Sequence, residues 1–345
     1  MARVAKLKEI AQHLGVSQST VSKALNNATD INAETRGKIL RVAAKMGYGV
    51  EYPEIKGAKT IGIICPEIKS NYYAQVITAI EKNIAWRGYG MMVAFSDFQY
   101  ESEQKLLQDF IGRDSAGIVL LSENRKIGDD LKIMRSRIKI PIVAITLDIK
   151  IDEFDTLMID DAAGIEMIVD HLTALGHTNI GFISDAFTIG RLEHFKNAMC
   201  KKGLETRRCN IYIDENGRRF EECGYAGAAA LEALGKNNMP TAAIAGYDDI
   251  AIGAMRLFKE RRLRIPEDIS LAGIDNISVA PYLPASLTTV AVPVEELGEI
   301  ATKILLRKVR DPGYGLIQQV MLRPMLIIRE STSKRKNNAD AASKN

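Results

Sequence analysis

The sequence is poor in the residue types that build disulfide frameworks and metal sites. It has four cysteines and four histidines in 345 residues. The cysteines, which form no C-x2-C pair, are Cys65, Cys200, Cys209 and Cys223. The histidines form no H-E-x-x-H motif, so neither a zinc site nor a disulfide framework is indicated. We expect reduced, mostly buried thiols, no metal and no cofactor.

Membrane segments and catalytic motifs are also missing. The amino-terminal stretch MARVAKLKEIAQHLG is amphipathic and has no continuous apolar core, so it resembles neither a signal peptide nor a membrane span. We therefore expect no membrane association and a cytoplasmic protein. The chain has no G-x-S-x-G motif, no P-loop and no G-x-G-x-x-G after a strand. Because an enzyme would need a nucleophile, a base or a cofactor loop, no enzyme is predicted.

The charge is unevenly distributed along a chain long enough for two or three domains. Residues 1–49 hold eight basic and three acidic residues and so carry +5, which leaves −2 for the rest of a chain whose net charge is +3. A basic head on a slightly acidic body is typical of a phosphate-contacting module joined to a different domain. A solvated basic face is the alternative, which charge alone does not exclude.

Leu7 to Asn26 has the spacing of a helix-turn-helix. Ala11 is small enough for the helix crossing, Gly15 supplies the turn, and Val21 can pack back on the first helix. Ser17 is a good N-cap, which leaves a polar first turn on the second helix. Any small helical hairpin with a glycine turn is the alternative.

From this helix we predict contacts to double-stranded operator DNA. Gln18, Ser19 and Lys23 are expected to read bases. Thr20, Ser22 and Asn26 are expected mainly to hold the phosphate backbone. The complete predicted set is Leu7, Ser17, Gln18, Ser19, Thr20, Ser22, Lys23 and Asn26.

From residue 60 onwards, apolar strands alternate with helical segments. The strands are predicted at TIGIIC, GMMVAF, GIVLL, PIVAI and TLMI, and then at NIGFI, IYI, TAAIAG and SLAGI. Continuous apolar strands between amphipathic helices favour parallel sheets covered on both faces, and two series indicate two doubly wound subdomains. Ligands bind beyond the carboxyl ends of such strands. Polar and aromatic residues there suit a polyhydroxylated ligand and are Tyr72, Tyr73, Asp97, Asp160, Asp161, Arg191, Asp248, Asp249 and Asp275. For any single aspartate, a helix N-cap is the alternative.

Several motifs resemble the lac repressor-like (LacI/GalR) family. They are GVSQSTVSKALNN, INAETRGKILRVAAKMGY, PEIKSNYY, LGHTNIGFIS, RLEHF, RIPEDISLAGIDNI and LTTVAVPVEELG. The resemblance implies an all-α head and an α/β two-lobed, periplasmic-binding-protein-like body that binds a small effector, usually a sugar. It also implies a homodimeric repressor with one operator half-site per subunit. The effector positions carried over from the family are Arg191, Asp248 and Asp275, with Tyr72 and Tyr73 packing on the ligand.

The chain departs from the family in the second lobe and in the connector. Gly246-Tyr247-Asp248 replaces A-N-D, and the position of a usual aromatic falls at Arg218, Arg219 or Phe220, depending on a gap. The connector VEYPEIKGAK lacks the leucine that wedges into the minor groove. We expect this hinge to stay non-helical on a nearly straight operator; the alternative is that 53–59 folds on DNA with Ile55 as the wedge.

The predicted domains are a head (1–49), a short hinge (50–59), a two-lobed effector and dimerisation domain (60–332) and a flexible tail (333–345). The function predicted is ligand-controlled transcription regulation. A sugar-binding protein without a regulatory role and a constitutive DNA binder remain alternatives.

Overall fold

The computed structural model describes residues 7–25, 31–45, 60–113, 115–124, 126–134, 138–147 and 149–335. The chain forms two compact units, Met1–Ala58 and Lys59–Asn345, which we call the head and the body. The predicted hinge, including Ile55, lies outside the described residues.

The described part of the head consists of three helices: α1 (Leu7–Leu14), α2 (Gln18–Leu25) and α3 (Ala33–Lys45). Their shared core is centred on Ile10, Val21 and Ile39, whose side chains are at most 1% exposed. The turn between α1 and α2 depends on Gly15, whose φ of 65° lies in the left-handed region that favours glycine. This arrangement is the helix-turn-helix that the sequence predicts.

The body contains two six-stranded sheets. The first has the order β11-β5-β4-β3-β1-β2, and all its strands are parallel. Its strands are β1 (Thr60–Cys65), β2 (Gly90–Phe95), β3 (Ser115–Ser122), β4 (Ile142–Leu147), β5 (Asp155–Ile159) and β11 (Gln319–Leu322). The second sheet has the order β12-β10-β9-β8-β6-β7, with only the β10–β12 pair antiparallel. Its strands are β6 (Ile180–Asp185), β7 (Ile211–Asp214), β8 (Ala242–Ala245), β9 (Ser270–Ile274), β10 (Thr288–Ala291) and β12 (Met325–Ile327).

Each sheet is covered by helices and forms one lobe. Lobe 1 has α4 (Asn71–Ala85), α5 (Tyr100–Gly112), α6 (Ile127–Met134) and α11 (Val294–Arg310). Lobe 2 has α7 (Asp161–Ala174), α8 (Ile189–Lys201), α9 (Phe220–Glu232) and α10 (Asp248–Glu260). The predicted α/β class with two doubly wound sheets agrees with this architecture.

The chain crosses between the lobes three times, after β5, after β10 and after β11. The sequence predicts β1 to β9 but neither this carboxyl-terminal return nor α11. Helix α11 packs on α4 in the core of lobe 1 so closely that a Cβ atom on Gly298 would lie 2.5 Å from the Cβ of Ala79. The core of lobe 1 therefore depends on two helices that are distant in sequence.

Two expectations are corrected by the body. Cys65 and Cys223 are buried, but Cys200 and Cys209 are exposed, so the thiols are not mostly buried; all four are free. The second lobe also extends past residue 332, because the Arg335 amide donates to the carbonyl of Leu175 at 2.9 Å. The predicted flexible tail thus begins three residues too early, and residues 336–345 lie outside the described part. None of the described helices is long and apolar enough to cross a membrane.

Candidate functional site

The surface of α2 is the candidate DNA-contacting site in the head. Ser17 precedes α2, and its Oγ accepts a hydrogen bond from the Thr20 amide at 3.0 Å, as expected of an N-cap. Val21 and Ala24 face the core, which leaves Gln18, Ser19 and Lys23 on the exposed side of the helix.

The other predicted DNA contacts differ in exposure. Leu7, Thr20 and Ser22 are partly buried, and Asn26 lies outside the described residues. The three residues predicted to read bases are therefore also the most accessible part of α2. Because Gln18 and Ser19 are exposed in the first turn of α2, this turn can approach base edges in a major groove.

The candidate effector site is a cleft between the two lobes of the body. Its inner cavity has a volume of about 30 Å³, and it is lined by Ser70, Tyr72, Tyr73, Phe98, Glu123 and Leu147 of lobe 1 and by Phe187, Thr188, Arg191, Arg219, Tyr247 and Asp275 of lobe 2. A pocket of about 470 Å³ adjoins it and shares Glu123 and Arg191 with it. The inner cavity has room for no more than a few water molecules.

Arg191 is the central cation of the cleft. Its Nε donates to Asp161 Oδ2 at 2.8 Å, its Nη1 donates to the Gly246 carbonyl, and its Nη2 lies 3.7 Å from Asp275 Oδ1. Burial opposes the charged guanidinium, but Asp161 and Asp275 together hold the pKa of Arg191 above its usual value. The first turn of α8 carries this residue, and Asp161 at the start of α7 fixes its direction.

The packing around position 246 explains why this residue is a glycine. A Cβ atom at this position would lie 2.1 Å from the hydroxyl oxygen of Ser184. The alanine of the family's A-N-D motif would therefore collide with β6, and glycine lets the Gly246 carbonyl reach Arg191.

Asp275 lies directly after β9 with φ of 104°, a left-handed conformation that is costly for a residue with a Cβ. Its side chain is buried, and its Oδ1 has no hydrogen-bond partner. Burial raises the pKa of Asp275 well above its usual value, although Arg191 opposes this. A buried, unpartnered acceptor in a strained loop beside a cavity is typical of a binding site.

Glu123 was missed in the sequence prediction. It follows β3, and its Oε1 accepts a hydrogen bond from the hydroxyl of Tyr73. Burial raises the pKa of Glu123 to about 7, although Tyr73 and Arg191 lower it. The rule that singled out Asp97, a carboxylate directly after a parallel strand, would also have found Glu123.

The structure shows which of residues 218–220 lines the cleft. Residues 218–220 could each have taken the place of the family aromatic, and Arg219 is the one that lines the cavity. Its Nη1 lies 2.7 Å from Glu67 Oε2 of lobe 1.

Two predicted effector residues do not line the cavity. Asp248 is fully buried, and its carboxylate accepts from Thr289 Oγ1 at 2.6 Å and from the Ile277 amide at 2.9 Å. Asp97 is exposed, with its backbone amide donating to the Pro66 carbonyl at 2.8 Å. The cavity thus brings together Tyr72, Tyr73, Arg191 and Asp275, but not these two aspartates.

The N-cap alternative holds for Asp160, whose Oδ1 accepts from the Ala163 amide at 2.9 Å. Among the described residues, no group of three or more His, Cys, Asp or Glu side chains is arranged to hold a metal ion.

In the comparison with known proteins, family models match the head and a large part of the body. The model of the lacI family of bacterial regulatory proteins matches residues 6–50, and that of the periplasmic binding protein-like domain matches residues 169–332. The chain is 30% identical over 338 residues to the HTH-type transcriptional regulator DegA of Bacillus subtilis (strain 168), covering 94% of this chain and 97% of the relative.

Two solved structures resemble the fold. A LacI family transcriptional regulator from Enterococcus faecalis V583 with bound ribose has a TM-score of 0.68 and 27% identity, covering 81% of this chain and 100% of that one. The lac repressor dimer bound to operator and the anti-inducer ONPF has a TM-score of 0.69 and 22% identity, with 96% and 100% covered. The predicted family and fold class are confirmed. This chain belongs to the LacI family of bacterial regulatory proteins, and it is a DNA-binding transcription regulator.

Proposed function

We propose that this regulator binds operator DNA under the control of a sugar or sugar derivative held between its two lobes. The observation that carries the proposal is the Oδ1 atom of Asp275, a buried acceptor without a hydrogen-bond partner in the interlobe cavity. The regulator from Enterococcus faecalis with bound ribose supports the chemical class.

The side chains around the cavity match a ring that carries several hydroxyl groups. The carboxylates of Asp275 and Glu123 can accept hydrogen bonds from hydroxyls, and Arg191 can donate to a hydroxyl or ring oxygen. Tyr72 and Tyr73, with ring centroids 5.1 Å apart, supply apolar surface for the C–H face of a sugar.

The size of the cavity couples binding to lobe position. A space of about 30 Å³ holds a few water molecules at most, so a sugar ring that reached Asp275 would have to widen the inner cavity by moving the lobes apart. The effector therefore shifts the equilibrium between lobe arrangements by its differential affinity for them.

The proposed assembly is a cytoplasmic homodimer in which each subunit contacts one operator half-site. Dimeric helix-turn-helix proteins need recognition helices about 34–36 Å apart, so a change in lobe arrangement that altered this spacing would weaken operator binding. Gln18, Ser19 and Lys23 are the proposed base-reading residues. The lac repressor dimer on its operator supports this assembly.

The test is a thermal-shift screen with D-ribose, other single sugars and sugar phosphates. We expect at least one to raise the melting temperature of the wild-type protein and to change its affinity for operator DNA. Asp275→Ala should lose the shift while remaining folded and dimeric, and Asp275→Asn, which tolerates the left-handed backbone better, should weaken it. Asp97→Asn is the matched control on an exposed aspartate and should keep the wild-type shift. An unchanged response in Asp275→Ala would refute the assignment of the site.

A further inference from the structure

Arg219 contacts both lobes at one end of the cleft. Its Nη1 pairs with Glu67 Oε2 of lobe 1 at 2.7 Å, and its Nε lies 3.5 Å from Asp185 Oδ2 of lobe 2. The Arg219 side chain is 19% exposed, whereas those of Glu67 and Asp185 are 9% and 1% exposed. Burial alone would lower the pKa of Arg219, but Glu67 raises it above its usual value. The ion pair between the lobes is therefore sheltered from most solvent screening.

Three phenyl rings surround the same guanidinium. The Cζ atom of Arg219 lies 4.8 Å from the ring centroid of Phe98, 4.5 Å from that of Phe187 and 4.7 Å from that of Phe220. Phe98 belongs to lobe 1 and the other two rings to lobe 2, and the centroids of Phe98 and Phe187 are 4.4 Å apart. Cation–π attraction and ring contact thus hold the lobes together beside the ion pair.

The lobe 2 side of this cluster is held in place by its own hydrogen bonds. The hydroxyl of Tyr247 donates to Asp185 Oδ2 at 2.6 Å, and Asp185 Oδ1 accepts from the Phe187 amide at 3.1 Å. Arg219 therefore extends from a fixed position in lobe 2 toward Glu67, and this ion pair must break if the lobes separate there.

We propose that Arg219 closes this end of the cleft and thereby keeps a second sugar ring of the effector out of it. The proposal rests on the proposed function, because it names the size of the ligand. Arg219 lines the inner cavity but not the adjoining pocket of about 470 Å³, whose lining includes Lys150 and His194. A ring that extended from the inner cavity toward Glu67 would meet Arg219, so this residue determines how far the ligand reaches on that side.

The first test needs no ligand. Hydrogen–deuterium exchange is measured on the ligand-free full chain for the loops 66–70, 96–99 and 186–190. In Arg219→Ala, exchange in all three loops should become several-fold faster, because the contact that keeps them together is lost. Glu67→Gln breaks the same pair from lobe 1, so it should give the same pattern even if the arginine variant folds poorly.

The matched control is Arg218→Ala, at the neighbouring position. Arg218 interacts with Asp214 and Tyr212 of its own lobe, at 3.5 Å and 3.3 Å. Its removal should leave exchange in the three loops unchanged. Wild-type exchange in both Arg219→Ala and Glu67→Gln would overturn the closing role of Arg219.

The second test compares single sugars with disaccharides by isothermal titration calorimetry. For at least one disaccharide, Arg219→Ala should bind several-fold more tightly than wild type and Arg218→Ala. Disaccharide binding by the wild type as tight as by Arg219→Ala would overturn the size limit. If no sugar bound any variant, the proposed sugar effector and the size limit would both fail, while the exchange experiment would still decide whether Arg219 closes the cleft.

Discussion

Replacing Asp248 with alanine tests whether this carboxylate stabilises the fold or binds the effector. Asp248 is fully buried and accepts hydrogen bonds from Thr289 Oγ1 and from the Ile277 amide, which join α10 to the segments around β9 and β10. The family resemblance implies that this residue binds the effector, but its contacts tie the loops of lobe 2 together. We therefore expect the substitution to lower stability rather than remove a ligand contact.

The size of the effect follows from the groups left behind. Alanine would leave the Ile277 amide and the Thr289 hydroxyl without this acceptor, and each buried donor without a partner costs about 1–3 kcal/mol. A loss of about 3 kcal/mol at pH 5 is expected, or a fall in melting temperature of about 6–12 °C for a unit of this size.

The loss should depend on pH with a definite sign. Burial raises the pKa of Asp248 from 3.8 to about 7, although Thr289 and Ile277 lower it. Between these values the folded state binds more protons than the unfolded state, so the stability that Asp248 contributes falls as pH rises and levels off above about pH 7. The difference between wild type and Asp248→Ala should therefore shrink by about 2 kcal/mol between pH 5 and pH 8.

Thermal melts and urea unfolding at several pH values measure this difference, with Asp97→Asn as the control on an exposed aspartate. Sugar titration at a temperature where Asp248→Ala is folded then shows whether affinity has changed. If the variant had wild-type stability but no ligand response, the predicted structural role would be refuted, and Asp248 would be a ligand-binding residue.

Two further predictions concern the head and the second lobe. Lys23→Ala should cost about 1–3 kcal/mol of binding at one operator base position, measured by fluorescence anisotropy on a set of single-base operator variants; an equal loss on every sequence would make Lys23 a phosphate contact instead. Gly253→Ala should destabilise the body by about 3 kcal/mol or more, because its Cβ atom would lie 1.9 Å from the Glu221 carbonyl oxygen in the α9–α10 contact. Gly190→Ala, where a Cβ atom meets nothing within 4 Å, is the control in the same melts, and equal melting temperatures for the two variants would contradict the close helix approach.

Alternation of strands and helices predicted β1 to β9 because those strands are mostly long, apolar and buried. Three strands were missed, and all are short: β10 and β11 have four residues each and β12 has three. Strand β11 pairs with β5 and β12 pairs with β10, each of which is distant in sequence. No local pattern could therefore indicate the three crossings of the chain between the lobes.

The sequence predicted those cleft residues whose position is determined by a strand end alone. Asp275 and Arg191 were found this way, and so were Tyr72 and Tyr73. Asp248 satisfies the same rule, but its direction depends on Thr289 and Ile277, which no spacing rule relates to it. Arg219 could not be chosen over its neighbours because the choice depends on Glu67 in the other lobe.

The gap between Arg191 and Asp275 explains how a ligand could bind although the cavity is so small. Their closest atoms are 3.7 Å apart, beyond hydrogen-bond reach, and Asp275 Oδ1 has no other partner. A hydroxyl placed between them could accept from the guanidinium and donate to the Asp275 carboxyl group, so it would form two hydrogen bonds while breaking none at that point. The interactions that an effector must break lie elsewhere, in the Arg219–Glu67 pair and in the 2.9 Å hydrogen bond from Asn71 to Asp249. Because these two contacts join the lobes without touching Arg191 or Asp275, lobe separation and ligand recognition depend on different residues and can be altered independently by mutation.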